Sequence, residues 1–161
     1  MKPIDLIPAC SCADALAWAA TQTGTPKQAW NNCRRGDWLL WLAENVGVDR
    51  TLRVLASCDC AESVIGLVGS ESQLACVWSI DAARRFALGE TDGDEVLASS
   101  AAADADAAYY GTADAAYYDA ASSADANAAA SRIKKHAECA VLVRAHIPWS
   151  VVEKAIEKGK K

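Results

Sequence analysis

Apolar side chains recur along this chain at helical spacing, and the Val/Ile alternation of a strand is nearly absent. Leu16 and Trp18 sit among alanines behind Ser11, which predicts a first helix to about Thr21. Thr25-Pro26-Lys27-Gln28 is a capping box with proline at the first helical position. The short helix it opens carries Trp30 and Cys33 and is expected to end at Gly36. Asp37 is then the expected cap of Trp38-Leu39-Leu40-Trp41-Leu42, stopped by Gly47. Asp49 caps a run holding Leu52, Val54, Leu55, Cys58, Val64, Ile65 and Val68, with room for a break near Cys58-Asp59-Cys60. Ser70-Glu71-Ser72-Gln73 is a second capping box, opening a helix through Leu74, Val77, Trp78 and Ile80 that ends near Gly89. Thr91-Asp92-Gly93-Asp94 is turn chemistry, and Pro148 starts a terminal helix from Trp149 to Lys158. The pattern predicts an all-α fold, a single-domain helical bundle with one long alanine-rich helix.

That long helix has an unusual make-up. From Ala98 to Ser131 there is no Val, Ile, Leu, Met, Phe or Trp, and alanine fills half the positions. The hexapeptide Ala-Asp-Ala-Ala-Tyr-Tyr stands at 105–110 and again at 113–118. Such a segment can form a slim helix, because alanine is the best helix former, but it cannot build a core alone. At about 100° per residue, Asp104, Asp114, Asp119 and Asp125 fall within an arc of roughly 140°. Ala102, Ala113, Ala120 and Ala124 take the other side. Tyr109, Tyr110 and Tyr117 border the alanine face, Tyr118 leans toward the acids, and Asp106 alone fits neither. Gly111-Thr112 is a point where this helix can split.

Charge is segmented in the same way. Residues 1–89 hold eight basic and nine acidic side chains, residues 90–131 nine acids and no base, and residues 132–161 eight bases and three acids. The chain divides into a near-neutral Trp/Cys-rich body, an acidic alanine-rich segment and a basic C-terminal part, within a length of 161 residues that suits one domain. Pro3-Ile4-Asp5-Leu6-Ile7-Pro8 is too short and too polar for a signal peptide, and no run reaches the 18 to 20 or so apolar residues a membrane span needs. A cytoplasmic protein with no membrane association is expected.

Chemistry-bearing residues are sparse. Cys10-x-Cys12 and Cys58-x-Cys60 together supply four thiols, the number a structural zinc takes. Yet residues two apart on a helix point in nearly opposite directions, so one of each pair is expected to face inward as packing. With seven cysteines and no export signal, buried thiols are the expectation, with no metal and no cofactor. His136 and His146 are the only histidines; His136 lies in the basic cluster Arg132-Ile133-Lys134-Lys135-His136 and reads as a solvated surface group. A Cys139–His136 nucleophilic pair has the right spacing, but no catalytic serine motif and no phosphate-binding glycine loop accompany it. The expectation is therefore a protein that is not an enzyme. Trp18, Trp30, Trp38, Trp41 and Trp78 occupy positions that should bury. Arg34-Arg35-Gly36-Asp37 reads as a helix end followed by an aspartate cap. The lysines from Lys154 to Lys161 form a solubilising end that can also pair with the acidic segment.

Cys10-Ser11-Cys12-Ala13-Asp14-Ala15-Leu16-Ala17-Trp18, Ala29-Trp30-Asn31-Asn32-Cys33, Arg35-Gly36-Asp37-Trp38-Leu39-Leu40-Trp41 and Cys58-Asp59-Cys60 together resemble a family of small helical immunity proteins of phages and bacteria. Asp81-Ala82-Ala83-Arg84-Arg85-Phe86-Ala87-Leu88-Gly89 and the alanine tract extend the likeness over most of residues 10–131. The resemblance implies a protein that neutralises a toxin or inhibits a host defence, and it carries over no functional residues. The Tyr-Tyr pairs and almost purely acidic tract depart from the family's usual look and point to a specialised partner. The expected function is a non-enzymatic inhibitor that blocks the basic surface of a nuclease, toxin or CRISPR effector, partly by imitating nucleic-acid charge. Asp104, Asp114, Asp119 and Asp125 would make the charged contacts, and Tyr109, Tyr110, Tyr117 and Tyr118 the anchors. The alternatives are self-assembly, as a homodimer through the alanine face, and nucleic-acid binding through Arg34, Arg35, Arg132, Lys134 and Lys135, which the acidic total disfavours.

Overall fold

Local chemistry sets most helix ends where the sequence places them. Thr25 Oγ1 accepts from the Gln28 backbone N–H at 3.2 Å and Gln28 Oε1 accepts from the Thr25 backbone N–H at 2.7 Å, so both arms of the capping box are closed. Asp49 caps the fourth helix by accepting from the Thr51 N–H at 2.8 Å. Gly47 and Gly89 follow helix ends with φ of 78° and 70°, a left-handed backbone that other residues rarely adopt. The computed structural model describes residues 2–6, 13–67, 70–91 and 126–159. Among them every regular element is helical: a 3-10 turn at Pro3–Leu6, α1 (Ala13–Thr21), α2 (Pro26–Asn32), α3 (Gly36–Asn45), α4 (Arg50–Val64), a 3-10 turn at Ile65–Leu67, α5 (Ser70–Ala87), α6 (Ala126–His146) and α7 (Trp149–Gly159). The protein is all-α. The stretch from Asp92 to Asp125, which holds most of the expected long alanine-rich helix, lies outside the described residues.

The central element is α4, which packs against α3, α5 and α6. Its contacts to α5 run from Cys58–Ile80 to Arg50–Phe86, and those to α6 from Asp59–His146 to Ser63–Lys135, so both neighbours lie antiparallel to it. A helix covered on more than one side has no solvent face for half of each turn. The expected division of Cys58-x-Cys60 into one buried and one outward thiol is corrected on this ground, since both are fully buried. They do point in opposite directions. The Cys58 thiol donates to the Ile80 carbonyl of α5 at 3.7 Å and the Cys60 thiol to the Cys139 carbonyl of α6 at 3.6 Å. Nor does α4 break near these cysteines; it is continuous to Val64, and the irregular stretch falls at Ile65–Leu67.

Small side chains on α4 (Ala56, Ser57, Cys58, Cys60 and Ala61) let its neighbours approach closely. Leu39, Leu40, Val143, Ile147 and Val152 fill the volume around them. The amphipathic α7 adds Val152, with Val151, Ala155 and Ile156 partly buried beside it, and contacts α2. Trp30 is 2% exposed; its indole N–H is buried without a hydrogen-bond partner among the described residues. Trp30 also lines a 40 Å³ cavity with Trp18, Trp38 and Leu42, more than the room one water needs.

Three further expectations are corrected. Trp78 was expected in the core but is 66% exposed, because α5 turns Ile80 and Ala83 toward α4 and leaves Leu74, Val77 and Trp78 on another face. His136, expected in solvent, has a side chain only 17% exposed, with Nδ1 3.7 Å from Asp37 Oδ1 of α3. Gly36 does not stop α2, which ends at Asn32. It begins α3, close against α6, and Asp37 lies inside the first turn and is not the cap, a position that Arg35 holds.

A Cβ on Gly36 would sit 2.7 Å from Cys139 Cβ, 2.9 Å from the Cys139 carbonyl carbon and 3.0 Å from Ala140 N. Backbone atoms of α6 cannot step aside as a side-chain tip can. Gly36→Ala should therefore cost about 1–3 kcal/mol in urea unfolding, as overpacked sites do. Gly66→Ala, whose Cβ meets nothing within 4 Å, should leave the midpoint nearly unchanged. Equal midpoints for the two variants would contradict the tight α3–α6 crossing.

Candidate binding surface

The residues singled out as partner contacts, Asp104, Asp114, Asp119, Asp125, Tyr109, Tyr110, Tyr117 and Tyr118, all lie outside the described residues, as do Cys10 and Cys12. The described part supplies the surface beside which that tract leaves and rejoins, at Thr91 after α5 and at Ala126 where α6 begins.

That surface is organised by acids and bases that match one another. Arg35 grips Asp37 with Nε to Oδ1 at 2.9 Å and Nη2 to Oδ2 at 2.5 Å, and its guanidinium lies 4.6 Å from the centre of the Trp38 ring. Lys135 reaches Glu138 at 2.7 Å and the Ser63 carbonyl at 3.4 Å. Arg53 faces Glu44 at 3.2 Å. Arg84 joins Asp59 at 2.7 Å and Glu62 at 2.9 Å, tying α5 to α4, and the second oxygen of Asp59 lies 2.7 Å from His146 Nε2 on α6. Burial alone would raise the Asp59 pKa. The hydrogen bonds from His146 and Arg84 outweigh it and hold the carboxyl below its usual range.

Two of the thiols are in the opposite condition. The Cys60 pKa is pushed far up by its hydrogen bond with the Cys139 thiol and by burial, and Cys33 is pushed up chiefly by burial. Both stay protonated at neutral pH, unlike a nucleophile or a metal ligand. Cys58 and Cys60 are turned to different helices, so they do not form one half of a shared ligand set. Among the described residues no group of three His, Cys, Asp or Glu side chains could hold a metal ion.

With Asp37 engaged by Arg35 and Glu138 chiefly by Lys135, three cations on the α2–α6 side are weakly compensated or without a carboxylate among the described residues. Arg34 is exposed and makes no ion pair among the described residues. Lys134, whose side chain is 78% exposed, comes only within 4.0 Å of Glu138. Arg144 donates Nη1 to the Trp30 carbonyl at 3.3 Å and to the Cys33 carbonyl at 2.7 Å, closing the C-terminal end of α2, and has no carboxylate partner among the described residues. These three line an open cleft of about 650 Å³, together with Asn31, Asn32 and the apolar side chains of Ile133 and Val141. Ile133 and Val141 are 58% and 61% exposed, too high for core positions. Of the bases considered for nucleic acid, Arg34 and Lys134 therefore share one site, Arg35 and Lys135 are tied to acids, and nothing is described of the Arg132 side chain.

Arg144 was not among the sequence candidates. Its role depends on α6 meeting the end of α2 more than a hundred residues earlier in the chain, which no local pattern announces. No family model, curated protein or solved structure matches the chain. No helix among the described residues is long and apolar enough to cross a membrane.

Because its folded pKa lies below the unfolded value, Asp59 adds stability that is present above about pH 4 and lost as pH falls through the folded pKa. Denaturation midpoints measured across the acid range should drop below about pH 4. The drop should be shallower in Asp59→Asn, which lacks the titrating group. An identical acid slope in that variant would remove Asp59 from the account.

Proposed function

We propose that this protein is a non-enzymatic inhibitor that binds a basic protein surface through its acidic tract, of the kind a nuclease, toxin or CRISPR effector presents. One observation carries the reading: nine acids and no base lie between residues 90 and 131, while five acids of the helical body are met by its own bases. Asp37, Glu44, Asp59, Glu62 and Glu138 each face a cation, so the chain's excess negative charge is concentrated in the tract. An uncompensated acidic segment steers association with a basic partner and competes for groups that hold phosphates. Asp104, Asp114, Asp119 and Asp125 are the charged contacts in this reading. Tyr109, Tyr110, Tyr117 and Tyr118 give apolar area with a polar tip at low entropic cost. The family resemblance supports an anti-toxin or anti-defence role inside a bacterial cell, with the helical body as a scaffold.

A second reading, self-assembly, is favoured by Leu74, Val77 and Trp78 at 57%, 47% and 66% exposure, spaced three and four apart on one face of α5. In that reading this stripe joins the tract's alanine face as a seam between copies.

The inhibitor reading is tested by capturing partners from host lysate at low salt with the full chain, identifying them, and titrating the purified partner. The partner should be basic, and its affinity should fall at least about tenfold in Asp114→Lys/Asp119→Lys and at raised salt. Unchanged affinity in the double variant would refute the acidic tract as the contact. A mass near twice that of one chain in light scattering at tens of micromolar, abolished by Trp78→Glu, would favour assembly.

A further inference from the structure

We propose that the cationic cleft between the end of α2 and α6 is a docking site for the chain's own acidic tract. The occupant is inferred from charge, tethering and surface character. The cleft brings Arg34, Lys134 and Arg144 together, and Asp37 of α3 and Glu138 of α6 are engaged by Arg35 and Lys135. Among the described residues Arg34 and Arg144 have no carboxylate partner and Lys134 has only the 4.0 Å approach to Glu138, so the cleft favours an anion. The rim also carries Ile133 and Val141, both more than half exposed, which a bare phosphate backbone would leave in water. An anionic segment that also brings apolar area suits both features.

Such a segment is covalently attached. Between Asp92 and Asp125 the chain carries eight acids, no base, four tyrosines and many alanines. It rejoins α6 at Ala126, about two helical turns before Ile133. Thirty-four residues separate Thr91 from Ala126, and an extended chain advances up to about 3.3 Å per residue, so reach is no obstacle. Tethering gives the tract an effective concentration that a separate acidic peptide would need millimolar levels to equal. A nucleic acid is the poorer occupant, because the same tract repels phosphate from the neighbourhood of the cleft.

The consequence is competition. A basic partner must draw the tract's carboxylates away from Arg34, Lys134 and Arg144 before it can bind them, so weak or non-specific basic surfaces are refused. This inference rests on reading the tract as an acidic ligand. Its test needs no partner, so its failure is separate from failure of the inhibitor reading.

The experiment is zero-length carbodiimide coupling of the full chain at low salt, with cross-linked peptides identified by mass spectrometry. The Lys134 amine should form an amide with one or more of Asp104, Asp114, Asp119 and Asp125 of the same chain, besides its neighbour Glu138. That product should fall about fivefold or more in Arg34→Glu and at roughly 0.5 M salt, where screening is short-ranged. Arg34 is exposed and holds nothing in place among the described residues, so the variant should fold, as circular dichroism would check. Three results would overturn the proposal. They are coupling of the tract to Lys158 on α7 as readily as to Lys134; coupling of Lys134 only to Glu138; or, from a mixture of light and isotope-labelled chains, light–heavy cross-links in the proportion that random pairing of two copies gives, which would assign the cleft to a second copy.

Discussion

Burial of one helix between its neighbours governs much of this architecture. Because α4 is covered by α5 on one side and by α6 and α3 on others, its interior positions must be small, and Ala56, Ser57, Cys58, Cys60 and Ala61 meet that demand. Larger side chains would push the neighbouring helices outward and open voids between Leu39, Val143 and Ile147. The same economy of volume appears where α3 starts against α6, at a glycine whose missing Cβ leaves space for the backbone of Cys139 and Ala140. Cysteine suits these positions as a small apolar group whose thiol can donate weakly to a carbonyl on the facing helix.

Polar contacts then fix how the helices are rotated. Asp59 is held by Arg84 from α5 and His146 from α6, so one carboxylate on α4 ties both neighbours to it. Arg144 holds the end of α2 through two backbone carbonyls, and Asp37 brings Arg35 and His136 together at the start of α3. Most of these groups are partly exposed, and such pairs contribute modestly to stability. Their larger effect is on charge, because satisfying Asp37 and Glu138 within the body leaves Arg34, Lys134 and Arg144 as a positive surface beside a strongly negative segment.

Local signals in the sequence were readable because they act within a few residues. The Thr25–Gln28 box, the Asp49 cap, Gly47 and Pro148 all do what their spacing predicts. What failed required knowing which helices meet. Gly36 looks like a helix stop until α6 is placed against it, His136 looks solvated until Asp37 is placed beside it, and Trp78 looks buried until α5 is seen to pack with its Ile80 face. The cleft was only partly legible. Arg34 and Lys134 stood out as bases, but their separation from Arg35 and Lys135 depends on which carboxylate each long side chain reaches in three dimensions. Composition set the acidic tract apart at once, because an absence of large apolar residues is visible without any fold.

The placement of the thiols makes the molecule its own recorder of breathing. Cys58 lies at the α4–α5 seam, Cys60 and Cys139 at the α4–α6 seam, and Cys33 at the end of α2, all buried, while Cys76 on α5 is partly exposed. A thiol-specific reagent reaches each buried sulfur only when its own seam parts. The order in which those sulfurs are modified would thus read out which helix leaves first, with Cys76 marking the rate of a site that needs little opening.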